Sequence, residues 1–194
     1  MQRIVPNLWF DHTAAQAATF YTSVFPGGKV IDTVHYPTEG LPDFQAEFAG
    51  DVLTVEFELG GYRLIAINAD ATFRPNPSVS FFVNFDPSVD PDARAHLDEL
   101  WAALADGGKA LMPLQEYPFS PHYGWIEDRY GVSWQLMLTN PDGEPRPFII
   151  PSIMFGHPPW AAPRRRWRTT RRCSAGGWVR SCPTRRRPGR WPGR

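Results

Sequence analysis

The sequence predicts an α+β protein in which one unit, a strand, a helix and then several strands, is performed twice. Three observations carry this. Two segments show helical spacing of apolar residues, each closed by Gly or Pro. A short apolar run precedes each helix. Alternating extended stretches follow each, all within about 140 residues.

In the first unit, residues 3–10 form the opening strand candidate. "HTAAQAATFYTSVFPGG" then starts a helix with Thr13 as N-cap and Gln16 three residues on, a capping-box spacing. Ala17, Phe20, Tyr21 and Val24 recur at helical intervals and make one buried face. Pro26, Gly27 and Gly28 end the helix. Extended stretches follow near 29–36, 44–49, 52–59 and 62–68. In "VLTVEFEL", Val55, Phe57 and Leu59 alternate with Thr54, Glu56 and Glu58, and Gly60–Gly61 is a two-residue hairpin signal.

The second unit repeats the order. "SVSFFVNF" (78–85) reads as a strand, and a helix follows with Asp90 as N-cap and Pro91 at its first position. Leu97, Leu100, Trp101 and Leu104 form its buried stripe, and Gly107 suits the C-terminal cap. Strand candidates follow at 109–114, 122–127 and 132–138.

Charge divides the chain sharply. The formal net charge is zero, yet residues 1–160 hold all 20 acidic residues against 8 Lys or Arg, a net of −12, while 161–194 hold 12 Arg and no acid. Both cysteines, Cys173 and Cys182, lie in that tail, so neither a disulfide framework nor a cysteine-rich zinc site can hold the body. No apolar run reaches the length of a signal core or of a membrane span, which predicts a cytoplasmic protein with no membrane partner.

Three segments, "IVPNLWFDHTAAQAATFYTSVFPGGKV", "PSVSFFVNF" and "YGWIEDRYGVSWQLM", resemble the PhnB-like branch of the vicinal oxygen chelate (glyoxalase/bleomycin-resistance) superfamily. The resemblance covers about 1–140 and implies paired βαβββ modules, about 1–70 and 76–140, inside a domain of 1–142. Their curved sheets would enclose a cleft. Such domains often bear the name 3-demethylubiquinone-9 3-methyltransferase, but no G-x-G-x-x-G follows a strand here and the Gly pairs all sit at turns.

The superfamily's metalloenzymes ligate an ion with four cleft side chains, usually His and Glu. By strand position the resemblance puts these at Pro6, Ala66, Ser80 and Gln135, of which only Gln135 offers a serviceable oxygen. No metal and no other cofactor is therefore expected. The histidines at 12, 35, 96, 122 and 157 show no ligand-pair spacing. His122, beside Tyr123 and near Glu116 and Glu127, is the least ordinary of them.

The cleft that the resemblance implies would be lined by Leu8, Phe10, Ala66, Asn68, Ser80, Phe82, Trp125, Gln135 and Met137. Ser80, Phe82 and Asn84 share one strand face, as do Ser133, Gln135 and Met137. Leu64, Ala66 and Asn68 oppose the apolar pair Ile65 and Ile67, which suit packing under a helix. Glu56 and Gln135 are the catalytic candidates. Glu56 serves as a base only if buried, and a solvated sheet face is its simpler explanation. Asp128 and Gly131 belong to a turn.

The segment 143–158 contains "FIIPSIMFGH", which echoes residues 3–12: Ile149 matches Ile4, Pro151 matches Pro6, Phe155 matches Phe10 and His157 matches His12. It reads as a linker and the first strand of a second domain whose helix never arrives. Residues 159–194, rich in Arg and Pro, lack the apolar surface to fold and are expected to be disordered or an out-of-frame translation. A nucleic-acid-binding arm is the alternative.

The function this predicts is binding of a small organic molecule by a homodimer. An enzyme of the same fold using Glu56 or Gln135 is the first rival, and nucleic-acid binding through the tail is the second.

Overall fold

The computed structural model describes residue 2 and residues 4–154; the basic tail lies outside the described residues. The described residues fall within one compact unit. The first module runs β1 (Asn7–Asp11), α1 (Ala14–Val24), β2 (Lys29–His35), β3 (Val52–Leu59) and β4 (Tyr62–Ala69). The second runs β5 (Val79–Phe85), α2 (Ala93–Ala105), β6 (Lys109–Tyr117), β7 (Ser120–Glu127) and β8 (Ser133–Leu138). The α+β class and the repeated βαβββ order are those the sequence predicts.

Each module makes its own sheet. The first has the order β1-β4-β3-β2, with β1 and β4 parallel. The second has the order β6-β7-β8-β5, with β5 and β8 parallel. The β3–β4 hairpin turns on Gly60 and Gly61, both at positive φ (53° and 83°), the backbone that a tight two-residue turn requires.

A fifth strand, β9 (Ile149–Ile153), pairs antiparallel with the outer edge of β5. The run that reads as the start of a second domain is here the edge strand of the second sheet. It buries Ile149 against the common core, because an open β5 edge offers unpaired backbone groups to an extended apolar segment.

One hydrophobic core joins both helices to one face of each sheet. Trp134, Tyr21, Phe57 and Phe81 are fully buried in it, each contributing about 1.5–3 kcal/mol by leaving water. Asp128 lies in the middle. It accepts hydrogen bonds from the Tyr21 hydroxyl (2.8 Å), the Trp134 indole N–H (2.7 Å) and the backbone N–H groups of Tyr130 and Val132. Burial pushes its carboxyl up, and these bonds oppose the shift. Its role in the turn is as predicted, with a tie between the modules added.

Three local expectations change. Residues 43–48 form a 3-10 helix where 44–49 reads as a strand. The α1 cap comes from outside the helix: Thr13 makes no side-chain cap, and Asn68 of β4 accepts the Ala14 N–H at 2.8 Å instead. The second helix starts at Ala93 with Asp92 as its cap, while Asp90 instead accepts the Asp92 N–H and a bond from His96.

Candidate functional site

Strand alternation gives each sheet a helix-packed face and an outer face. On the second sheet, Phe81, Val83, Phe85, Trp134, Leu136 and Leu138 join the core. The outer face therefore holds Ser80 and Phe82 of β5, Ser133, Gln135 and Met137 of β8, and Tyr123 and Trp125 of β7, which lie opposite Met137 and Gln135.

A polar chain crosses this face at its centre. The Tyr123 hydroxyl donates to Gln135 Oε1 at 2.6 Å, and Gln135 Nε2 donates to Ser80 Oγ at 2.7 Å. All three residues are buried. Desolvation is the main cause that pushes the Tyr123 hydroxyl up to about 12, with the nearby Tyr117 adding to it. Tyr123 also meets the rings of Tyr117 and Phe119 edge-on, at 5.5 and 5.0 Å, so the β6–β7 hairpin supplies an aromatic wall.

Two polar atoms on this face have no partner: Trp125 Nε1 and Ser133 Oγ are buried and make no hydrogen bond. Native proteins leave few such groups unsatisfied.

Of the residues expected to line a cleft, Ser80, Phe82, Trp125, Gln135 and Met137 share this outer face. They part on the first sheet. Leu8, Phe10 and Ala66 lie on the helix-packed face, in the core, and Asn68 sits beside them holding the α1 N-terminus and the Val52 carbonyl. Ile65 and Ile67 point the other way, with Glu56 opposite Ile65. Side-chain size explains the reversal. The α1 face is built of Ala14, Ala17 and Ala18, and small Ala66 lets the helix approach the sheet where isoleucine would hold it off.

Glu56 and Gln135 are not brought together. Glu56 Oε1 pairs with Arg63 at 3.0 Å on a half-exposed surface, and both amide atoms of Gln135 are engaged with Tyr123 and Ser80. His122 faces α2, with Nε2 against Asp98 at 2.5 Å and Nδ1 near Arg94.

The metal that the resemblance implies does not fit this donor set. Ala66 is in the core and offers no donor. Ser80 and Gln135 are hydrogen-bonded to each other, and Pro6 supplies only a backbone carbonyl, which already accepts the Ile65 N–H. Among the described residues no three His, Cys, Asp or Glu side chains gather where an ion could sit.

The family model of 3-demethylubiquinone-9 3-methyltransferase matches residues 2–137. The chain belongs to this PhnB-like family. Its fold is similar to that of the PhnB protein from Bacillus cereus, which is 33% identical. That match covers 71% of this chain and 100% of the other, with a TM-score of 0.60. It is also similar to protein PA1353 from Pseudomonas aeruginosa, 23% identical over 72% of this chain and 98% of that one, with a TM-score of 0.59. No curated protein matches the chain. The resemblance to the PhnB-like branch is thus borne out at the level of family and fold.

The register missed by sequence reasoning is that of β7 across from β8. It sets Tyr123 beside Gln135 and leaves Trp125 and Ser133 without partners. Alternation in "HYGWIE" marks Tyr123 and Trp125 as sharing a face, but not which neighbour they meet.

Proposed function

We propose that this PhnB-like protein binds a small, partly apolar organic molecule bearing a hydrogen-bond acceptor, on the outer face of its second sheet. The buried and unpartnered Trp125 indole N–H carries this reading, since indole can only donate. Phe82, Met137 and the Tyr117–Phe119–Tyr123 cluster supply apolar contact, and the Ser80–Gln135–Tyr123 chain holds the floor rigid. Sequestration, with no bond made or broken, asks for no more than this.

A homodimer and a cytoplasmic location belong to the same proposal. Val79 and Ile153 face each other across β5 and β9, both exposed, and Met154 follows, so this edge supports pairing with a second copy. The cysteine-free body supports a reducing compartment. No helix of the described residues is long and apolar enough to cross a membrane.

A thermal-shift panel of aromatic ketones, esters and carboxylates tests the binding reading. At least one member raises the Tm of the parent protein and fails to raise that of Trp125→Phe, which keeps the ring and removes the donor. A panel whose stabilising members act equally on both proteins sinks it. Light scattering after gel filtration tests the dimer.

A further inference from the structure

We infer that the protein has a second ligand site, a pocket between the two modules suited to a hydrophobic amine. The cavity is about 690 Å³, within the range of small-molecule sites. Its walls are the end of α1 at Val24–Pro26, the α2 flank at Leu100 and Ala103, and the segment Pro145–Phe148 leading into β9. It adjoins the outer-face site, since Asn84 shares the strand face of Ser80 and Phe82 and pairs with Met137, but it does not use Trp125 or the Ser80–Gln135–Tyr123 chain, so it stands or falls separately from that reading.

The third wall makes the pocket a property of this chain. Residues 145–148 lie beyond the 2–137 that match the family. They are fixed in place. Phe148 O accepts the Asn84 backbone N–H at 2.8 Å, Pro147 O accepts from Asn84 Nδ2 at 2.8 Å, and the Phe148 ring meets Phe85 edge-on at 5.6 Å.

Asn84 also states what the pocket wants. Its side chain is buried at 5% exposure and lines the cavity. With Nδ2 committed to Pro147, Oδ1 is a buried acceptor with no partner. Such a carbonyl calls for a donor from the ligand. Charge selects which donor. The lining includes Asp86, Asp90 and Glu99 against Arg146, and Asp90 already holds His96 at 2.7 Å. Glu99 makes no ion pair among the described residues, so the lining itself, three carboxylates against one guanidinium, favours a cation. Phe25, Phe85 and Phe148 then receive the apolar body.

The test is calorimetric titration of the full chain with phenylalkylamines of increasing length and with the matching phenylalkanoic acids, alongside amide NMR of the labelled protein. The amines are expected to bind once per chain and to shift the Asn84 side-chain amide and the Ala103 and Phe148 backbone signals. Ala103→Trp, which fills the cavity, should weaken binding by about tenfold or more. Glu99→Gln, an exposed change that leaves folding alone, should weaken it severalfold, and Trp125→Phe should bind as the parent does. Absence of amine binding at millimolar concentration overturns the inference. So does preference for the acids, shifts centred on Gln135 and Tyr123, or unchanged affinity in both pocket variants.

Discussion

The hydroxyl of Tyr21 on α1 donates to the carboxylate of Asp128 after β7 at 2.8 Å, joining the first module to the second with both residues buried. This bond lies inside a cluster of rings, with Tyr21 stacked on Phe57 and edge-on to Trp134. The two modules are thus coupled through one acceptor that serves four donors.

Tyr21→Phe is expected to lower stability by about 2 kcal/mol, the worth of a hydrogen bond to a charged acceptor, because Asp128 keeps its other three donors. Asp128→Ala should cost clearly more, since the Trp134 N–H and two turn N–H groups lose their acceptor inside the core. Urea unfolding of the two variants measures the ordering. Equal losses would show that the Trp134 and turn bonds add nothing to the bond from Tyr21.

Alkaline pH should destabilise the protein through Tyr123. Its hydroxyl is pushed up from 10.0 to about 12 in the folded chain. The folded state therefore keeps a proton that the unfolded chain gives up first. That contribution to stability is complete below pH 10 and disappears as pH climbs to about 12. Melting temperatures across this window should fall less steeply in Tyr123→Phe than in the parent.

Gly60→Ala should be costly for two reasons that can be separated. Its φ of 53° is left-handed, a strain of about 1–2 kcal/mol for alanine. A Cβ there also runs into the Phe148 ring. Combining it with Phe148→Ala removes the second cost, so the double variant should be more stable than the sum of the single losses predicts, by more than about 0.5 kcal/mol. Simple additivity in chemical denaturation would remove Phe148 from the account.

Truncation after Asp142 should destabilise the body, whereas truncation after Met154 should not. The shorter chain loses β9, uncovers the β5 edge and forfeits burial of Ile149 and part of Phe148, about 2 kcal/mol for the isoleucine alone. Circular dichroism melts of both products decide the point. A chain ending at 142 that melts like the longer one would confine the fold to the family's own segment.

Much of the fold was legible in the residues. Helical spacing from Ala17 to Val24 and from Leu97 to Leu104, and the Gly60–Gly61 hairpin, place α1, α2 and the β3–β4 turn correctly, because these are local preferences of the backbone. On the second sheet the alternation around Gln135 also gives the right face, since Trp134 and Leu136 are too large and apolar to belong elsewhere.

On the first sheet alternation gives two apolar sets, Leu64 and Ala66 or Ile65 and Ile67, and hydropathy prefers the wrong one. Only the approach of an alanine-faced helix selects Ala66 for the core. The sequence by itself determined the repeated units and their elements, because those depend on residue type and near neighbours. The tertiary structure alone decided the face of the first sheet, the docking of β9 on β5 and the isolation of Trp125 Nε1, Ser133 Oγ and Asn84 Oδ1. Each of these rests on which segment arrives alongside, and closeness in space between segments tens of residues apart leaves no mark in local spacing.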